Sequence, residues 1–155
     1  MKVLITGAHG MVGKYLQSLF RCPLLTPTRD ILDLTDLRLT EAYFNEHHPT
    51  HVIHLAADVG GLYKNMNQGL VMFENNLSMN LNIVKTCRTF GVRNFSTLLS
   101  TCVFPDKTPY PLNADNINRG EPHHSNEGYS YTKRMLERHV NYVRESTGWR
   151  WKSFI

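Results

Sequence analysis

Apolar and polar positions along this chain switch repeatedly between a period of two or less and a period near 3.6. Val3 to Thr6 is a short apolar, β-branched run that stops at Gly7, the pattern of a fully buried strand. Met11 to Phe20 then places Met11, Val12, Tyr15, Leu16 and Leu19 at helical spacing. Leu24 to Thr28 predicts a weak second strand, broken by Pro23 and Pro27. Asp33-Leu34-Thr35-Asp36 offers a cap for a helix over Leu37 to His47, which Pro49 ends. Val52 to Ala56 predicts a third strand, and Gly60-Gly61 opens a loop. Leu70, Phe73, Leu77, Leu81 and Val84 step by three or four and predict a long helix that stops near Gly91. Phe95 to Ser100 is a fourth strand. The Pro-, Asn-, His- and Asp-rich stretch from Pro105 to Gly128 is a functional loop. Tyr129 to Glu145 is helical, with Leu136, Val140 and Val143 on one face, and Arg150 to Ile155 is a last strand.

Strand and helix alternating in this way predict an α/β fold, a right-handed parallel sheet with helices on both faces. At 155 residues the chain has the length of one domain. A domain of that size can bury about 70% of its unfolded surface. No repeat or low-complexity tract interrupts the pattern. Its ending on a buried strand, with no cap after it, suggests a chain cut short.

Composition changes this picture mainly by exclusion. Apolar residues at 41% and charged residues at 19% exclude a disordered tail. The formal charge of +4 is spread along the chain, which suits an anionic small molecule and offers no basic block for nucleic acid. Cys22, Cys87 and Cys102 are an odd number at wide spacing, so neither a disulfide framework nor a paired-cysteine zinc site follows. The apolar start is too short for the 7–15 apolar residues or so of a signal peptide, or the ~20 of a membrane span. The reading is a soluble, cytoplasmic protein that binds no membrane. The eight histidines form no metal pattern, and His51 and His54 bracket a strand so as to point to different faces. No metal is expected.

Three features carry chemistry. Gly7-Ala8-His9-Gly10-Met11-Val12-Gly13 puts glycines at the first, fourth and seventh positions between a strand and a helix. There the helix start offers free N–H groups to a pyrophosphate, and glycine lets the backbone come close. A purely structural turn has the same look in isolation; its place after the first strand of an α/β chain favours the cofactor. Tyr129 and Lys133 lie one turn apart on one helix face. A phenol titrates near a pKa of about 10, and a neighbouring ammonium favours its phenolate. An ordinary exposed Tyr/Lys pair would be spaced identically, but Ser100 ends a strand just before the loop, where ligands of such sheets sit. Glycine loop, strand-end Ser and Tyr-x-x-x-Lys together resemble the short-chain dehydrogenase/reductase superfamily in its extended, nucleotide-sugar branch. That resemblance implies a Rossmann-type doubly wound sheet, here broken off at its sixth or seventh strand.

Longer blocks are similar to the GDP-L-fucose synthase family: Thr6 to Lys14, His51 to Ala57 with Val59-Gly60-Gly61-Leu62, Leu99 to Lys107, and Pro122 to Met135. The resemblance implies 3,5-epimerisation of GDP-4-keto-6-deoxy-D-mannose and reduction of its 4-ketone with NADPH. It makes Tyr129 the proton donor to the C4 oxygen and Ser100 the group that orients the carbonyl. Lys133 becomes the residue that holds the nicotinamide ribose and lowers the Tyr129 pKa. Cys102 becomes an epimerisation acid/base, although by its residue type alone it equally suits a buried structural thiol. The glycine loop (Gly7, His9, Gly10, Met11, Val12, Gly13) with Leu55, Ala56 and Ala57 would line the cofactor cleft. Asp33 would touch adenine, Arg29 the 2′-phosphate, with help from His9, and Asn76 would support the site. The family's chain is roughly twice as long, so residues 1–155 correspond to its NADP-binding domain, without the substrate-binding part and the family's second acid/base, a histidine. A homodimer is expected, through the helices around Leu77 and Leu136. Two alternatives stand beside this reading: a non-catalytic NADP-binding or dimerisation module, and a sibling nucleotide-sugar epimerase or dehydratase.

Overall fold

Five parallel strands form a single sheet in the order β2-β1-β3-β4-β5: β1 Val3–Thr6, β2 Leu24–Leu25, β3 His51–His54, β4 Asn94–Leu98 and β5 Arg150–Phe154. The structure is a computed structural model that describes residues 1–155 apart from the side chain of Leu62. Leu62 closes the Val59–Leu62 motif, and its side chain lies outside the described residues. β1 is an interior strand, buried at all four positions, pairing Val3 with Leu24 on one side and Val3 to Thr6 with His51 to His54 on the other. The chain therefore leaves β1 in one direction and returns on its opposite side, which opens a crevice beyond the carboxyl ends of β1 and β3.

The sheet holds five strands, fewer than a break at a sixth or seventh strand would leave. The difference lies between β2 and β3: after Leu25 the chain runs through turns into α2 (Leu37–His47) and adds no outer strand. α2 has the expected bounds. The Asp36 carboxylate accepts from the N–H groups of Arg38 and Leu39 at 2.8 and 3.3 Å, and His48 closes the helix in a left-handed conformation.

One face of the sheet carries Leu4, Val52, Phe95 and Trp151 under Phe44 of α2, Ile83, Val84 and Cys87 of α4 (Gly69–Thr89) and Leu136 and Val140 of α5 (Glu127–Thr147). The other face carries Val3 and Ile5 with Ala8, against which α1 (Met11–Gln17) lies through the buried Gly13. Alternation along β1 assigns its side chains to these two faces.

Two helices bury faces other than those their apolar spacing predicts. α1 is shorter than expected, and Met11, Tyr15 and Leu19 at its end are 87, 68 and 58% exposed. A Cβ on Gly13 would lie 2.5 Å from the Ala8 carbonyl oxygen, so the helix approaches backbone to backbone and its large side chains splay outward. α4 buries Asn76, Asn80 and Asn82 beside Met72 and Ile83, while Leu70 and Leu81 face out. α3 (Leu62–Asn67), unforeseen in the loop after Gly61, has no apolar period to announce it. β2 shrinks to Leu24–Leu25 between its two prolines, and β3 begins and ends earlier than Val52 to Ala56. Among the described residues no helix is long and apolar enough to cross a membrane.

Candidate active site

The crevice beyond β1 and β3 is an open cavity of about 470 Å³. The turn after β1 forms its floor: Gly7 has φ +68°, and a Cβ there would come within 2.7 Å of the Ala56 amide nitrogen. Only glycine lets the two strand ends approach this closely. Gly7, His9 and Gly10 line the cavity from β1, Arg29 and Asp33 from the segment after β2, and Leu55, Ala56 and Ala57 from the end of β3. Gly10 starts α1 without a side-chain cap, so the first N–H groups of the helix keep no side-chain partner. Of the expected cofactor set, Met11, Val12, Gly13, Asn76, Tyr129 and Lys133 do not line the cavity. Met11 and Val12 are exposed on the first turn of α1, and Gly13 is spent on packing against Ala8.

The rim is tied across by polar contacts. His9 Nε2 meets the Thr26 carbonyl oxygen at 3.1 Å, joining the glycine turn to the segment after β2. Asp33 accepts from the Thr35 hydroxyl and amide at 2.7 and 2.9 Å and from Arg29 Nε at 3.3 Å. The Thr35 bonds, and after them the Arg29 charge, hold the Asp33 carboxyl below its usual range. Asn76 is fully buried and does not reach the cavity. Its amide donates to the carbonyls of Asp58 and Met72 at 2.8 and 2.7 Å and accepts from the Asp58 N–H at 2.8 Å, so it supports the site by pinning the chain after β3.

Sequence reasoning missed two groups here. Asp58 lines the cavity and binds Lys64 and Asn75, the latter at 3.0 Å. Burial alone would raise its carboxyl; these two partners outweigh that and hold it low. His54 is the second. Its Nε2–H donates to Asn80 Oδ1 at 3.0 Å, which leaves Nδ1 to accept from the Thr6 hydroxyl at 2.8 Å. Thr6 in turn accepts from the Ala56 amide at 3.3 Å, and Asn80 donates to the Thr132 carbonyl at 3.4 Å. A directed chain of hydrogen bonds thus runs from the cavity wall to α5. Burial, with the Lys133 charge, pushes His54 down to about 4, so it is neutral near pH 7. Asparagines four apart at 76 and 80 in an apolar helix were the available signal.

Ser100, Cys102, Tyr129 and Lys133 gather where β4 ends against α5, outside the lining of this cavity. Ser100 caps the turn Thr101–Val103, its hydroxyl accepting from the Cys102 amide at 3.4 Å. Lys133 Nζ lies 5.7 Å from the Tyr129 ring centre and donates to the Leu98 carbonyl at 2.9 Å. The structure corrects one expectation about this pair. Burial, and next the Cys102 charge, push Tyr129 up to about 12, and burial brings Lys133 down to about 8. The Lys133 charge does not offset this burial, and Tyr129 is protonated at neutral pH. Among the described residues no group of three or more His, Cys, Asp or Glu side chains could hold a metal ion.

The family model described as the NAD dependent epimerase/dehydratase family matches residues 3–155. The chain is 46% identical over 143 residues to a probable GDP-L-fucose synthase of Drosophila melanogaster, covering 88% of this chain and 44% of that one. It is 40% identical over 161 residues to the GDP-L-fucose synthase of Dictyostelium discoideum, covering 99% and 50%. Among solved structures it is similar to a GDP-L-fucose synthetase from Naegleria fowleri bound to NADP, with a TM-score of 0.86, 37% identity, and coverage of 98% of this chain and 51% of that one. The chain spans about half the length of the curated relatives it matches.

Proposed function

The chain belongs to the NAD dependent epimerase/dehydratase family, and from that premise we propose that residues 1–155 are the NADP(H)-binding domain of a GDP-L-fucose synthase. The observation that carries this is a glycine-floored cavity at the sheet's switch point, in a chain whose next strand, β4, ends at a turn that gathers Ser100 and Cys102 against Tyr129 and Lys133 of α5. The NADP bound by the Naegleria relative supports the choice of cofactor. So does the floor itself, where a Cβ on Gly7 would meet backbone. Gly7, His9, Gly10, Leu55, Ala56 and Ala57 would hold the dinucleotide, Asp33 the adenine end, and Arg29 its 2′-phosphate.

When bound, NADPH supplies the hydride for the C4 ketone of GDP-4-keto-6-deoxy-D-mannose. Tyr129, protonated at neutral pH, gives its proton to the C4 oxygen, and the Ser100 hydroxyl donates a hydrogen bond to the same atom. Polarising that oxygen acidifies the protons on the neighbouring ring carbons, C3 and C5, where Cys102 takes or returns one. Lys133 holds the ribose while it braces Leu98. The relatives' chains are about twice as long, and most of the groups that grip the GDP-sugar would come from the part that this chain does not span.

Cofactor choice tests the reading. In a fluorescence or calorimetric titration the chain is expected to bind NADPH about tenfold or more tighter than NADH, the margin of one charge-assisted contact. Arg29→Ala should remove that margin. Equal affinities, or an unchanged NADPH affinity in the variant, would sink the role of Arg29; failure to bind either nucleotide would sink the reading as a whole. The same reading pairs two copies through α4 and α5, whose exposed Leu81, Met135 and Tyr142 need cover. Light scattering that finds a monomer at high micromolar concentration would contradict that pairing.

A further inference from the structure

Of the three buried asparagines of α4, two hold backbone that walls the cavity. Asn76 pins Asp58 on the β3 side. Asn82 does the corresponding work on the β2 side. Its Nδ2 donates to the carbonyl oxygens of Leu34 and Thr35 at 2.9 and 3.0 Å, so the two hydrogens of one amide serve two successive carbonyls. Leu34 and Thr35 are the corners of a turn that the Asp36 N–H closes on the Asp33 carbonyl at 3.1 Å. Asp33 opens that turn. Its carboxylate accepts from the Thr35 hydroxyl at 2.7 Å within the turn and from Arg29 Nε at 3.3 Å on the cavity wall. A continuous set of bonds therefore leads from the middle of α4 to Arg29. Leucine would fill the place of Asn82 and leave both carbonyls without this donor, and aspartate would set a charge against them. A primary amide satisfies both from a single atom.

We propose that Asn82 is a positioning residue for the adenine end of the cavity: by holding the Leu34 and Thr35 carbonyls it sets the Asp33–Asp36 turn, and through Asp33 it sets where Arg29 lies. Asn82 is buried in α4 and does not line the cavity, so it acts only through these residues. The consequence for cofactor choice rests on the reading of Arg29 as the contact of the 2′-phosphate. Without Asn82 the turn keeps its own closing bond and the buried Leu32 and Leu34, so variants at this position are expected to fold with the turn displaced.

The test compares the whole chain with Asn82→Leu, Thr35→Val and the double variant in calorimetric titrations with NADPH and NADH. Each single variant is expected to lower the ratio of NADPH to NADH affinity by about threefold to tenfold, the effect of one misplaced charge-assisted contact. The double variant should lower it no further than the stronger single one, because both act on Asp33. A ratio equal to the parent's overturns the proposal, and so does a common loss of both affinities at constant ratio, the mark of a fold merely loosened. Effects that multiply in the double variant overturn it too, since the two residues would then act separately. So do equal affinities in the parent, which remove the contact Arg29 is placed to make. If Asn82→Leu shows no cooperative urea transition, Asn82→Ser, which can still donate to one carbonyl, decides by the same ratio. Amide exchange followed by NMR on the same samples separates this proposal from the reading it rests on. Faster exchange at Thr35 and Asp36 in Asn82→Leu, with β1 unchanged and no nucleotide bound by the parent, upholds the placement by Asn82 and rejects the function. NADPH binding with unmoved exchange and an unmoved ratio does the reverse.

Discussion

Supplied with NADPH and GDP-4-keto-6-deoxy-D-mannose, residues 1–155 on their own are expected to form GDP-L-fucose at least about 10²–10⁴-fold more slowly than a full-length relative. On the proposed function the cavity takes a dinucleotide, and Tyr129 and Ser100 act on a carbonyl brought to them. Bringing it there is the difficulty. Proximity and orientation supply about 7–11 kcal/mol to a well-held substrate, and a sugar nucleotide gripped by one end forfeits much of that. A second acid/base for the other epimerisation step is lacking among the motifs these residues match, which removes a separate factor of about 10²–10⁴. The two losses compound, because reduction follows epimerisation. Loss of NADPH absorbance and formation of product sugar, followed together, check this. Turnover near that of a full-length relative would contradict it and would mean that a further segment, or a second copy, completes the site.

Trp151→Ala should be the most damaging single truncation in the core. Trp151 is fully buried on β5, stacks on Phe95 with ring centres 4.7 Å apart, and donates its indole N–H to the Val92 carbonyl at 2.9 Å. Removing such a side chain costs about 3–5 kcal/mol. Against a net stability of roughly 5–15 kcal/mol that is between about a fifth and the whole of the total. The loss would reach the site as well, since the Leu99 amide, one residue before Ser100, donates to the Phe154 carbonyl at 2.7 Å. Trp151→Phe keeps a ring on Phe95 and abandons only the indole bond, so it should cost about 1–3 kcal/mol. Urea unfolding of the three proteins measures both. Equal midpoints for Trp151→Ala and the parent would show that β5 stands outside the cooperative unit.

Periodicity made most of this architecture legible, and its failures share a cause. α2 could be read to the residue because capping by Asp36 and the stop at His48 and Pro49 are local events. The buried face of α4 could not, because three asparagines occupy it and satisfy their amides on distant backbone: Asn76 on Asp58, Asn80 on Thr132 and Asn82 on Leu34. Hydrophobic spacing cannot foresee a polar side chain whose partners lie dozens of residues away. For the same reason His54 passed as an ordinary strand residue, and Asp58 went unnoticed between the His51–Ala57 and Val59–Leu62 motifs. The Tyr129–Lys133 pair was recognisable from its four-residue step, yet the direction of the Tyr129 shift depended first on burial and next on the Cys102 charge. A spacing records who is near whom along a helix and leaves solvent exclusion unstated.

The two margins of the sheet differ in how they meet other chains. β2 offers two residues between Pro23 and Pro27, too little for a foreign strand to pair with. β5 offers five, hydrogen-bonded to β4 along one side only, with Phe154 49% exposed near its end. A row of free amides of that length is a template for aggregation unless something guards it. Arg150 and Lys152 are both exposed on this strand, and like charges brought opposite one another across a strand pair repel. Among the described residues, the charge on this margin therefore works against pairing with a second copy of itself in register.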